Sequence, residues 1–180
     1  LFPYTTLFRS KTNLKIKIDN KPIKRVNNTK FLGVTIDSKL NWKDHIATIR
    51  NKIAKGIGMI NKTKIILNTK TLLNLYQIFI KPYLDYCNLV WGNASKTNLD
   101  SLFKLQKRIL RIIVGANFRE HTNQLFMDLE ILDIYKLNIY LTGIFMYKYI
   151  ENLLPDIFDD FFIQNKCIHQ YSTRSNDQLH

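Results

Sequence analysis

The chain has 180 residues and a formal net charge of +13, with 46% hydrophobic, 12% aromatic and 23% charged residues. That length suits one medium domain or two small ones, and that apolar content excludes a disordered chain. No apolar run approaches the ~18 residues of a membrane helix, and the two cysteines exclude a disulfide framework or zinc cluster and set the expectation of a reducing, intracellular environment.

The first ten residues, LFPYTTLFRS, do not fit a secretory leader. Arg9 follows the apolar residues instead of preceding them, and Pro3 and the Thr5-Thr6 pair break the run. Pro3 also confines any strand here to a sheet edge. The stretch resembles the translation of a sequencing-adapter oligonucleotide. Residues 1–10 are therefore set aside, and native sequence is expected from about Lys11.

NLKIKID follows, with Leu14, Ile16 and Ile18 alternating against Lys15 and Lys17. That is the period of a strand with one buried face. DNKP reads as a turn, PIKRV as a short second strand and KFLGVTID as a third. Gly33 within the third strand marks a bulge or a close backbone approach. So few strands do not stand alone.

Helical spacing then takes over. Asn41 is placed to cap a helix from Trp42, along which Ile46, Ile49, Ile53, Ile57 and Ile60 form one apolar stripe. Gly56 and Gly58 weaken its second half. Lys43, Arg50, Lys52 and Lys55 lie off the stripe. A second helix starts after Asn68 or Thr69 and runs through Leu72, Leu73, Tyr76, Phe79 and Ile80 until Pro82 kinks or ends it. PYLDYCNLVWG then continues to a stop at Gly92.

The third helix is read from a cap at Asn98 to a stop at Gly115, with Leu99, Leu102, Phe103, Ile109, Leu110 and Ile113 as its apolar face. Lys104, Lys107, Arg108 and Arg111 stand at i, i+3, i+4 and i+7, which places all four cations on one face. Such neighbours repel by a few tenths of a kcal/mol per pair, a cost that an anionic partner or ample water relieves. A short helix capped at Thr122 follows, and then a longer one opened by Asp133 and closed by Pro155. The aromatics of that last helix, Tyr135, Tyr140, Phe145, Tyr147 and Tyr149, are read as packing rather than as platforms for bases.

The pattern predicts a mainly α chain. A short β-hairpin or three-strand element at 11–40 precedes a basic helical region at 41–115 and a further helical region at 116–180. The charge divides with it: 22 Lys and Arg against 5 Asp and Glu lie before residue 112, and 5 against 9 lie after, which together return +13. A basic front of this kind fits a polyanion. It also fits a solvated lysine-rich surface written by an A/T-rich genome.

No complete active site is legible. His45, His121, His169 and His180 are widely separated, and Asp159-Asp160 is the one adjacent acid pair, beside Phe158, Phe161 and Phe162. The GIG of KGIGM lacks the spacing and the Lys-Ser/Thr ending of a phosphate loop, and no G-x-S-x-G occurs.

Five segments in order, KFLGVTIDSKLNWKDHI, IFIKPYLDYCNLVWG, LFKLQKRILRIIVG, REHTNQLF and YSTRSND, resemble the C-terminal part of non-LTR, jockey-like retrotransposon reverse transcriptases. The resemblance implies that 11–40 is the edge of a palm with its primer grip, 41–115 a thumb and 116–180 a connection region cut at its C-terminal side. Lys11-Thr12 resembles the end of a palm motif, and Phe31, Leu32 and Gly33 resemble the hairpin that grips a primer end. The family's Tyr-x-Asp-Asp motif, which with a further Asp holds two Mg²⁺ ions, is absent here and is expected upstream. The implied chain has no cofactor of its own and no catalysis alone. Its implied partners are a template–primer duplex, gripped through phosphates by Lys104, Lys107, Arg108, Arg111, Arg50, Lys52 and Lys55, and the palm and fingers of a parent polypeptide. No membrane is implied, and the setting is nuclear or cytoplasmic. Two other readings stand beside it: a free-standing helical nucleic-acid-binding module, and a helical scaffold whose charge is codon bias.

Overall fold

The computed structural model describes residues 16–159, 161 and 162. The adapter-like stretch, Leu14, Asp160, Cys167, His169, His180 and the YSTRSND segment lie outside them. The chain divides between Leu40 and Asn41.

Before that division there are two antiparallel hairpins. The first pairs β1 (Lys17–Ile18) with β2 (Lys21–Pro22), and the second pairs β3 (Asn28–Phe31) with β4 (Val34–Asp37). The third strand expected over KFLGVTID is therefore two strands. Leu32 and Gly33, with φ of 44° and 83°, form the turn between them, and Phe31 pairs with Val34. Gly33 marks a fold-back and not a bulge. Asp19 and Asn20, with φ of 48° and 62°, do the same in the first hairpin. Two successive residues at positive φ match the twist of the strands they join. Asp and Asn tolerate this conformation, but a leucine in it costs about 1–2 kcal/mol.

After the division the chain is helical: α1 (Lys43–Thr63), α2 (Thr69–Phe79), α3 (Lys81–Asp85), α4 (Asn88–Trp91), α5 (Lys96–Val114), α6 (Asn123–Asp128) and α7 (Ile134–Ile150). A 3-10 turn follows at Asp156–Phe158. All five isoleucines of the α1 stripe are buried. Helix α1 runs unbroken through both glycines. A Cβ on Gly56 would lie 3.4 Å from the Ile80 side chain and from the Phe79 carbonyl oxygen, so this glycine lets the end of α2 come close. Asn41 supports the α1 start by accepting from the Lys43 amide at 3.0 Å, while Trp42 occupies the cap position itself.

Asn68 caps α2 by accepting from the Thr71 amide at 2.9 Å. Pro82 falls in the first turn of α3, where its missing N–H leaves no helical bond unmade. Cys87, at φ 52°, then turns the chain into α4. Trp91 is fully buried, and its indole N–H donates to the Tyr86 carbonyl at 2.9 Å.

Helix α5 starts at Lys96 behind Ser95, three residues before the expected cap; Asn98 lies inside it and donates weakly to the Asn41 carbonyl at 3.4 Å. Gly115, at φ 72°, ends the helix as read. Thr122 stands at the start of α6 with no side-chain cap bond. Asp133 does cap α7, accepting from the Tyr135 and Lys136 amides at 2.9 Å. Helix α7 stops at Ile150, five residues short of Pro155. Asn152 turns there at φ 52°, and the Leu153 amide bonds the Lys148 carbonyl at 2.8 Å.

One core joins these helices, built from the α1 stripe, Leu72, Tyr76, Ile80, Leu84, Trp91, the apolar face of α5, Phe126, Ile131, Ile134 and Leu137. Burying each such side chain contributes about 1.5–3 kcal/mol. Among the described residues no helix is long and apolar enough to cross a membrane.

Candidate nucleic-acid interface

Helices α1 and α5 pack together and run parallel. Asn41 and Asn98 meet at one end; Asn61 and Lys64 share a cleft with Arg108, Arg111 and Gly115 at the other. Each helix carries one acid near its start, Asp44 and Asp100, and no Asp or Glu occurs at 45–63 or at 101–114. With their apolar stripes buried, the charged groups both helices present past those two acids are all cationic.

The four cations of α5 project opposite its buried face, as their spacing requires. Their surroundings differ. Lys104 and Arg108, one turn apart, are exposed. Lys107 is half-buried and lies over the Phe103 ring, 4.1 Å from its centroid. Arg111 is half-buried too. Its Nε and Nη2 donate to the Glu120 carbonyl at 3.0 and 2.7 Å. Those bonds anchor the turn after α5, which Glu120 also closes through a carboxylate bond from the Asn117 amide at 3.2 Å. The turn presents Phe118, 82% exposed, with the Arg111 guanidinium 6.0 Å from its ring.

The three α1 cations are not gathered on one face. Arg50 and Lys52 leave the helix about 160° apart at 100° per residue. Arg50 lies on the side of α1 that carries Asn61, three turns further on and facing the α5 cleft. Lys52 lies over the Tyr83 ring, 5.2 Å from its centroid, and Lys55 is exposed away from the stripe. At the hairpin tip Phe31 and Leu32 are 63% and 73% exposed.

Three features of the site escaped sequence reasoning. Lys64, Asn61 and Phe118 belong to helix ends and a turn far apart in the chain, and only packing unites them. Gln106 is fully buried in the middle of the α5 apolar face. Its amide nitrogen donates to the Leu132 carbonyl at 3.3 Å and to the Tyr76 hydroxyl at 3.4 Å, and its oxygen accepts from the Ile134 amide at 2.9 Å. A lone polar residue on an apolar stripe was the available signal. His45, edge-on to Trp91 at 5.8 Å between ring centroids, is also buried. Burial, aided by the Lys52 charge, lowers its pKa from 6.5.

Tyr76 and Tyr135 are both pushed up to about 12. Burial is the main cause in each, with the Asp85 charge adding to it for Tyr76. For Tyr135 the further cause is its 2.6 Å hydrogen bond to Asp100. These phenols hold structure in their neutral form. Among the described residues no group of three His, Cys, Asp or Glu is placed to hold a metal ion.

Comparison with known sequences gives what the chain is similar to. The chain is 32% identical over 121 residues to an RNA-directed DNA polymerase from the mobile element jockey of Drosophila melanogaster. Its relatives are RNA-directed DNA polymerases of mobile elements. The jockey match covers 64% of this chain and 13% of the relative. The jockey polymerase of Drosophila funebris is 27% identical over 121 residues, with the same coverage. A probable RNA-directed DNA polymerase from the Drosophila melanogaster transposon X-element is 25% identical over 132 residues, 71% of this chain and 14% of the relative. The jockey-like resemblance is borne out, and the chain spans about one-seventh of the length of these polymerases. No protein-family model and no solved structure matches the chain.

Proposed function

We propose that this chain is the part of a non-LTR retrotransposon RNA-directed DNA polymerase that holds the template–primer duplex. The observation that carries the reading is the outer surface of α1 and α5, which bears no acid beyond Asp44 and Asp100 near the helix starts, with Lys104 and Arg108 exposed opposite a buried apolar face. Cations without base-reading partners grip phosphates whatever the sequence, and such binding weakens steeply with salt. Lys107, Arg111, Arg50, Lys52 and Lys55 add to the field around that surface. The hairpin tip at Phe31, Leu32 and Gly33 suits contact with a primer end: it exposes two large apolar side chains, and its leucine sits in a costly conformation of the kind found at functional sites. The palm and fingers of the parent chain supply the remaining partners, in a nuclear or cytoplasmic setting. The described residues do not fit the Mg²⁺ ions such enzymes use, and no chemical step is assigned to them.

The test is primer–template binding over a range of salt. Lys104→Gln with Arg108→Gln should weaken binding roughly tenfold at moderate salt and reduce the slope of log affinity against log salt by about two. Unchanged affinity and slope would leave the helical scaffold as the better description.

A further inference from the structure

The cleft where α1 and α5 end side by side is more specific than a phosphate-gripping surface requires. Its volume is about 250 Å³, and Asn61, Lys64, Arg108, Arg111, Ile112 and Phe118 line it. Three of these are cations and none is an acid. Two helix C-termini converge here as well, each carrying about half a negative charge. Three full positive charges outweigh them, leaving roughly two in excess.

The size is also informative. It falls below the ~300 Å³ lower end of small-molecule pockets, so it suits a phosphate and sugar better than a whole nucleotide. The base then has to lie outside, and the Phe118 ring stands at the rim. That ring is 82% exposed, so its face is open to a stacking partner. It is nevertheless held in place. Arg111 anchors the turn that carries it through two bonds to the Glu120 carbonyl, and the same guanidinium stands 6.0 Å from the ring. A ring carried on an anchored turn costs less to order when a base stacks on it than one on a free loop.

We propose that this cleft is a subsite for an unpaired nucleotide, with Lys64 and Arg108 on its backbone phosphate and its base stacked on Phe118. Arg111 acts as a positioning residue for the ring. Bases inside a duplex offer no face to a protruding side chain, so the subsite selects single-stranded template or product. The inference rests on the nucleic-acid reading above.

The experiment compares a short single-stranded oligonucleotide with a blunt two-stranded duplex of equal phosphate number, on the full chain at one salt concentration. Phe118→Ala should weaken the single strand about tenfold, within the range that loss of one base–aromatic stack allows, and change duplex affinity less than twofold. Phe118→Trp should restore single-strand binding. A 2-aminopurine base in the oligonucleotide should lose fluorescence on binding to the unaltered chain and keep it with Phe118→Ala. Equal losses for both nucleic acids, or no loss for either, would overturn the subsite. Duplex binding that depends on Lys104 and Arg108 while Phe118 is irrelevant to the single strand would remove the subsite and leave the duplex grip standing. Single-strand binding that needs Phe118 without any duplex binding would do the reverse.

Discussion

Helices α5 and α7 are nearly the same length, 19 and 17 residues, yet they solve the problem of exposure in opposite ways. Helix α5 divides its circumference sharply. One side buries Leu99, Leu102, Ile109, Leu110 and Ile113, and the other carries Lys104, Lys107, Arg108 and Arg111 with Asp100 among them. Helix α7 is apolar all round. It buries Ile134 and Leu137 near its start, while Ile139, Tyr147 and Ile150 are 71%, 60% and 63% exposed. A divided helix has its orientation set by its own sequence. An apolar helix does not, and must be oriented by specific bonds at one end. In α7 the bonds to other helices fall in its first turns, namely the Ile134 amide on Gln106, the Tyr135 hydroxyl on Asp100 and the Asn138 side chain on Asn88, beside the Asp133 cap, while Tyr149 near its end donates to carbonyls of the segment that follows.

Removing Gln106 should therefore break the contrast most severely. Gln106→Ala opens a cavity in the α5 face and leaves the Ile134 N–H and the Leu132 carbonyl without their partner. Together these should cost about 3 kcal/mol. Urea unfolding would measure it, alongside Ile150→Ala at the other end of α7, which should cost less than about 0.5 kcal/mol. Equal losses for the two substitutions would mean that α7 is not oriented from its N-terminus.

The same contrast explains what could be read in advance. The stripes of α1 and α5 were legible because a 3.6-residue period is local information, and the α5 stop at Gly115 and the α7 start at Asp133 because capping chemistry is local too. KFLGVTID gave no such signal of its own fold-back. Its apolar residues run straight through Leu32-Gly33, and a leucine at positive φ is a choice no propensity predicts. The resemblance to a hairpin at those three residues, and not the residue pattern, pointed to the turn. The end of α7 was missed by five residues because Pro155 is the louder breaker and Asn152 the operative one. On the candidate surface the four cations of α5 read as equals. Lys107 on Phe103 and Arg111 on the Glu120 carbonyl are distinguished only by tertiary contacts.

A smaller effect should come from Tyr135→Phe, which removes the bond to Asp100 and should cost about 1.5 kcal/mol. Its pH dependence is the sharper readout. The folded phenol titrates near 12, above its ordinary 10.0, so the folded chain keeps a proton that the unfolded chain loses first. That contribution is complete below pH 10 and is lost as pH rises from 10 towards 12. The unaltered chain should lose more stability across that window than Tyr135→Phe. Tyr76 shifts in the same direction in both proteins and cancels in the comparison. Parallel curves would mean that Asp100 does not hold the start of α7.

The smallest effect is expected on the outer face of α7. Ile139→Gln exchanges one 71% exposed side chain for another that water solvates better. No core contact is surrendered, so the urea midpoint should move by less than about 0.5 kcal/mol of stability. Self-association should change instead, because a contiguous apolar helix face is a sticky one. Light scattering at rising protein concentration should show less aggregation for Ile139→Gln than for the unaltered chain. A stability loss above about 1.5 kcal/mol, the cost of exposing a buried isoleucine, would mean that this face is packed in solution. The contrast with α5 would then vanish, since both helices would hide their apolar residues and differ only in what covers them.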